Sequence, residues 1–174
     1  MEYPYYEFSV PLFKKLLGGL QAVLVKAESL PLLKSEGEVA VLQARLAPDM
    51  FPLVRQVQIA CDNAKGAAAR LAGIPVPKVP DTETSLQELQ ARIETTIHFL
   101  DSLTPVQFAD AATVKVELPY FPDMHMHGDG YLKEYALPNF FFHVTTAYAI
   151  IRSLGGELGK PDFINGLPLH KNEV

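Results

Sequence analysis

Tryptophan is absent from the 174 residues, and cysteine occurs once, at Cys61. One thiol excludes an intramolecular disulfide, so packing alone must hold the fold, in a reducing compartment. Cys61 sits in an apolar helical pattern with no second cysteine or basic cluster beside it, and reads as small core filling. Positive charge is scarce: 15 Lys and Arg against 20 Asp and Glu give a formal charge of -5, and no basic run is present. That excludes the concentrated basic surface a nucleic-acid partner requires. The phosphate-cradling glycine loop, the G-x-S-x-G elbow, the C-x-x-C pair and the H-E-x-x-H helix are all missing, which disfavours the commoner nucleotide-binding and hydrolase classes. No segment reads as the roughly 20 consecutive apolar residues of a bilayer span. The opening MEYPYYEFSV lacks the positive charge and unbroken apolar stretch of a secretory signal. The expectation is a cytoplasmic protein with no membrane partner.

What is present is the composition of an ordinary soluble globule, 48% hydrophobic and 20% charged. The length fits one domain, 1–174, large enough to bury roughly 70% of its unfolded surface without a metal or disulfide. From Phe8 to Leu33, bracketed by Pro4 and Pro31, the residues Val10, Leu12, Phe13, Leu16, Leu17, Leu20, Val23, Leu24 and Ala27 recur at three- and four-residue intervals and predict an amphipathic helix. A polar connection over 34–38 follows. Asp49 is placed to cap a second helix that carries Leu53, Val57, Ala60, Ala64, Ala67 and Leu71 as its buried stripe and closes at Gly73. PVPKVPDTET reads as an extended linker. Ser85 and Glu88 make a capping box for a third helix that stops before Pro105.

Val114, Val116 and Leu118 then alternate with polar residues, a turn lies near 120–123, and alternation resumes over 124–128, predicting a β-hairpin. Pro138 is placed to open a last helix that ends at Gly155 and Gly156. Four amphipathic helices in one chain predict an all-α four-helix bundle with a small β-hairpin before the last helix.

The last helix carries an unusual stripe. In PNFFFHVTTAY, Asn139, His143, Thr146 and Ile150 fall within about 60° of one another around the axis, flanked by Phe140, Phe142 and Ala147. Buried amides and imidazoles need partners, since an unsatisfied one costs about 1 to 3 kcal/mol. The second helix offers them along one polar edge, where Gln56 lies with Asp49 and Asn63. Gln56, Asn139 and His143 then make either a hydrogen-bonded network fixing helix register or the lining of a ligand pocket, with Thr146 beside them. As metal ligands two amides and an imidazole are a poor set.

The string NFFFHVTTAYAIIRSLGG, with Arg152 and Gly155 setting its register, resembles the last-helix motif of the DinB/YfiT-like superfamily. LAPDMFPLVRQVQIACDNAKGAAARLAG, ELQARI, ALPNFFFHVTTAYAIIR and LGKPDF are similar, more closely, to a branch of that superfamily known only as a domain of unknown function. The resemblance implies a four-helix bundle, often a homodimer. It also implies a divalent metal such as zinc or nickel, held by one histidine of the second helix and two of the last, and in some members transferase or isomerase chemistry with small thiols. Carried onto this chain, the ligand positions fall on Gln56, Asn139 and His143, of which only His143 keeps its ligand type.

In PDMHMHGDG, Asp123, His125, His127 and Asp129 occupy alternate positions, a pattern that zinc or copper can use. Pro122, Gly128 and Gly130 interrupt it, and a solvated hairpin face is the simpler reading. Asp62, Lys65 and Arg70 read as surface charges beyond the buried stripe, although the two cations could reach an anionic ligand.

Three functions remain open. The first is a small-molecule pocket between the second and last helices, in which His143 is the acid-base group and Gln56, Asn139 and Thr146 bind the ligand. The second is a divalent-metal-dependent transferase or hydrolase that keeps its metal through His143, with His125 or His127 folding over the bundle mouth. The third is a non-catalytic dimeric scaffold.

Overall fold

The computed structural model describes residues 3–172. Four long helices form the bundle: α2 (Val10–Ala27), α5 (Leu53–Leu71), α6 (Leu86–Asp101) and α8 (Leu137–Ser153). Around the bundle axis α2 packs on α6 and α8, and α5 closes the ring between α6 and α8. Shorter elements cover the ends: α1 (Pro4–Glu7), α3 (Pro31–Glu36), α4 (Glu38–Gln43), α7 (Gly128–Gly130) and α9 (Lys160–Ile164). Strands β1 (Lys115–Glu117) and β2 (His125–His127) pair antiparallel, Val116 opposite Met126. The all-α bundle with a hairpin before its last helix is therefore the observed fold.

The predicted stripes are the core. Leu53, Val57, Ala60, Ala64, Ala67 and Leu71 of α5 are buried, as are Phe13, Leu17, Leu20 and Leu24 of α2. Alanines on α5 let its neighbours approach closely, and larger side chains fill the opposite wall, where Phe13 meets Phe140 edge to face at 4.8 Å. The stretch Pro4–Ala27 is long and apolar enough to cross a membrane by length and composition, contrary to the sequence expectation. Half of its apolar window is buried within the bundle, and the core helix of a globular protein passes the same test.

Several boundaries differ from expectation for local reasons. Asp49 lies in a turn, and α5 begins four residues later with Pro52 as its extended N-cap residue. The polar connection over 34–38 is mostly helical, broken only where Gly37 adopts φ +85 between α3 and α4. Ser85 caps α6 as expected, its hydroxyl accepting from the Glu88 N–H, but the Glu88 carboxylate reaches one residue further back, to Thr84.

Pro138 does not open the last helix. Helical backbone already runs from Gly128, and six residues, Tyr131–Ala136, adopt a π turn before it. A proline inside a helix removes one N–H and crowds the carbonyl four residues earlier; a wider turn immediately before it relieves both constraints. Gly128 starts this run because a Cβ there would stand 1.8 Å from the Ala111 carbonyl oxygen.

Candidate functional site: the cleft between α5 and α8

Helices α5 and α8 run antiparallel, and their facing edges form two polar levels. At the first, His143 Nδ1 stands 2.7 Å from Gln56 Oε1, while Gln56 Nε2 donates to the Phe51 carbonyl at 2.9 Å. A carbonyl only accepts, so it fixes the amide orientation; Oε1 must accept from His143, which therefore carries its proton on Nδ1. Both residues are buried, at 1% and 7% exposure. Burial, with the Arg55 charge adding to it, pushes the His143 pKa down to about 4, so the imidazole is neutral at physiological pH. Thr146, one turn on, returns its hydroxyl to the Phe142 carbonyl. Gln56, His143 and Thr146 are thus mutually or locally satisfied.

The second level is open and includes Asn63, seven residues further along α5 than Gln56, about 10 Å at 1.5 Å per residue. Arg55, Ile59, Asp62, Asn63 and Arg70 form a stripe on α5 that lines a cleft of about 220 Å³. The facing wall is Asn139 of α8 with Tyr131 and Tyr135 of the π turn, and the chain leaving β1 closes the mouth through Leu118, Pro119 and Tyr120. Tyr131 and Tyr135 stack at 5.9 Å. Asn139, one turn before His143 on α8, lines this cleft. Asn63 lines it too, and its Oδ1 is buried and has no hydrogen-bond partner among the described residues. Leaving such an acceptor dry costs about 1 to 3 kcal/mol, a penalty that a bound partner removes.

The charges around the cleft are organised by a residue the sequence reading passed over. Arg92 of α6 is 4% exposed and ion-paired to Asp62, Asp81 and Glu83, and it also donates to the Pro80 carbonyl. It fastens the proline-rich linker to the bundle. Lys65 is buried and pairs with Asp62, which overturns its reading as a surface charge, whereas the Asp62 side chain is 41% exposed. Arg55 pairs with Asp81 and donates to Gln58. Burial pushes the Glu83 carboxyl up, but hydrogen bonds from Arg92 and Gln58 outweigh it and hold the carboxyl below its ordinary range. The missed signal was ELQARI itself, where Arg92 stands among Leu89 and Ile93 on the buried face.

Cys61 is fully buried, and burial pushes its thiol up to about 12 despite a hydrogen bond from Thr96 and the nearby Arg92 charge. It is core filling, as expected. His125 and His127 are both exposed, with their rings 5.5 Å apart edge to face. They stand opposite Glu117 and Lys115 on the solvated side of the hairpin, while Asp129 is engaged by Tyr5 and Lys133.

The residues at the inherited ligand positions do not fit a divalent ion. Two donors on one tetrahedral zinc stand roughly 3.3 Å apart, given bonds of about 2.0 Å, whereas Gln56 and His143 are joined directly by a hydrogen bond at 2.7 Å. The third position holds the neutral amide of Asn139. No group of three or more His, Cys, Asp or Glu among the described residues is arranged to hold a metal.

A family model described as a domain of unknown function (DUF1993) matches residues 5–164. The crystal structure of a DinB family member protein from Shewanella denitrificans is similar over 99% of this chain and 100% of that one, at 39% identity and a TM-score of 0.92. No curated protein matches.

Proposed function

The chain belongs to the DUF1993 family and has the DinB-like fold, and from that premise we propose that it binds a small molecule in the cleft between α5 and α8. One observation carries the reading: Asn63, whose buried Oδ1 has no hydrogen-bond partner among the described residues, lines a polar cleft together with Asn139. At about 220 Å³ the cleft is below the roughly 300–1,000 Å³ of common ligand pockets, which suits a small metabolite. The binding residues are then Asn63, Asn139 and the side chains around them. Gln56 and His143 act one level away, where they hold α5 and α8 in register, and Thr146 bonds within α8.

Crystals soaked with a mixture of small polar fragments test this. Density bridging Asn63 and Asn139 is the expected result; fragments bound elsewhere, with the cleft empty in every soak, would end the proposal. Homodimerisation, proposed from the fold, gains support from the exposed Phe51 and Phe142 near one end of the bundle, and sedimentation of the purified chain checks it. A cytoplasmic location is proposed on the composition alone.

A further inference from the structure

The cleft's charge is not balanced from within. Asp62 is paired with Lys65 and Arg92, and Arg55 with Asp81. Arg70 belongs to none of the ion pairs among the described residues; its guanidinium lies beside the Tyr131 hydroxyl and lowers that phenol's burial-raised pKa. One half-buried positive charge thus faces the cleft without an anion.

Its position is built by a glycine. A Cβ at Gly66 would stand 2.6 Å from Arg70 Nη1, so the guanidinium folds back along α5 into the space that side chain would occupy. Helical side chains lean toward the N-terminus in this way. Arg70 is thereby brought to the level of Gly66, one turn from Asn63, whose orphan Oδ1 needs a donor. Arg70 and Asn63 both line the cleft, with Tyr131 and Tyr135 as an aromatic wall.

We propose that the cleft takes a small organic carboxylate with a hydroxyl group next to the carboxylate. The Arg70 guanidinium holds the anion, and Asn63 Oδ1 accepts from the neighbouring donor. This rests on the reading of the cleft as a ligand site. A single unpaired cation matches a monoanion; a phosphate ester would ask for more charge than Arg70 supplies, and a cationic ligand would meet it with repulsion. Planar guanidinium and carboxylate groups also match as a two-point pair, which lysine would not reproduce.

The test titrates the ¹⁵N-labelled full chain with three probes at fixed ionic strength: mandelate, its neutral amide mandelamide, and phenethylamine. Mandelate is expected to shift the Asn63, Arg70 and Asn139 signals saturably and to bind at least about tenfold more tightly than either other probe. Arg70→Gln removes that preference, and Gly66→Ala, which keeps the charge but displaces the guanidinium, weakens mandelate similarly. Melting curves confirm that each variant is folded. Equal binding of the amide, or an Arg70→Gln variant that still prefers mandelate, overturns the carboxylate assignment while leaving a cleft that binds ligands. If no probe moves the cleft signals, the carboxylate assignment falls, and the fragment soaks decide separately whether the cleft is a site at all.

Discussion

His143 Nδ1 and Gln56 Oε1 meet at 2.7 Å across the α5–α8 interface, closer than two donors on one metal ion would stand. Burial and the nearby Arg55 charge keep the imidazole neutral, with consequences for stability. Its folded pKa is about 4 against an ordinary 6.5, so the unfolded chain binds this proton more readily. The sign follows: the contribution of the neutral ring is complete above pH 6.5 and is lost as pH falls toward 4. Thermal melts of the wild type should drop more steeply over that range than those of His143→Gln, which does not titrate. An equal slope would place the proton elsewhere.

Arg92 is the buried hub of the linker clamp. Arg92→Met removes one partner from Asp62, Asp81 and Glu83, but Asp62 keeps Lys65, Asp81 keeps Arg55 and Glu83 keeps Gln58, and Asp62 and Asp81 are 41% and 36% exposed and can rehydrate. The expected loss is therefore at the low end for breaking a buried ion pair, about 3 kcal/mol. Urea unfolding measures it, and limited proteolysis should show cleavage rising within the linker over 74–84.

Gly128 tolerates no side chain. Gly128→Ala places a carbon 1.8 Å from a backbone oxygen, which cannot yield as a flexible side chain would. Chemical denaturation should report a loss of about 1 to 3 kcal/mol, with the start of the π-turn segment displaced.

Cys61, buried and with its thiol pushed up to about 12, should resist a disulfide-exchange reagent at pH 8 until the protein unfolds. Labelling kinetics in native buffer and in denaturant make the comparison.

Much of this molecule was legible from periodicity. The buried stripes of α2, α5, α6 and α8 and the hairpin follow from spacing, because apolar burial imposes period on sequence. The facing polar edges of α5 and α8 were also legible, and Gln56 does meet His143. The level of the cleft was not. Asn63 and Gln56 share an edge seven residues apart, and a helical wheel discards the axial position that separates a satisfied pair from an orphan. The π turn that brings Tyr131 and Tyr135 to the cleft has no period of its own, and Pro138 masked it by resembling a helix start. Lys65 and Arg92 were hidden differently: a charge paired in the interior and a charge in water look alike in sequence.

The side-chain amide signals of Asn63, Asn139 and Gln56 decide most directly which level of the α5–α8 interface is the site. Titration with a ligand found in the fragment soaks should shift Asn63 and Asn139 and leave Gln56, with the His143 ring, unmoved. Shifts at Gln56 and His143 with Asn63 and Asn139 still would contradict the account and return the site to the histidine.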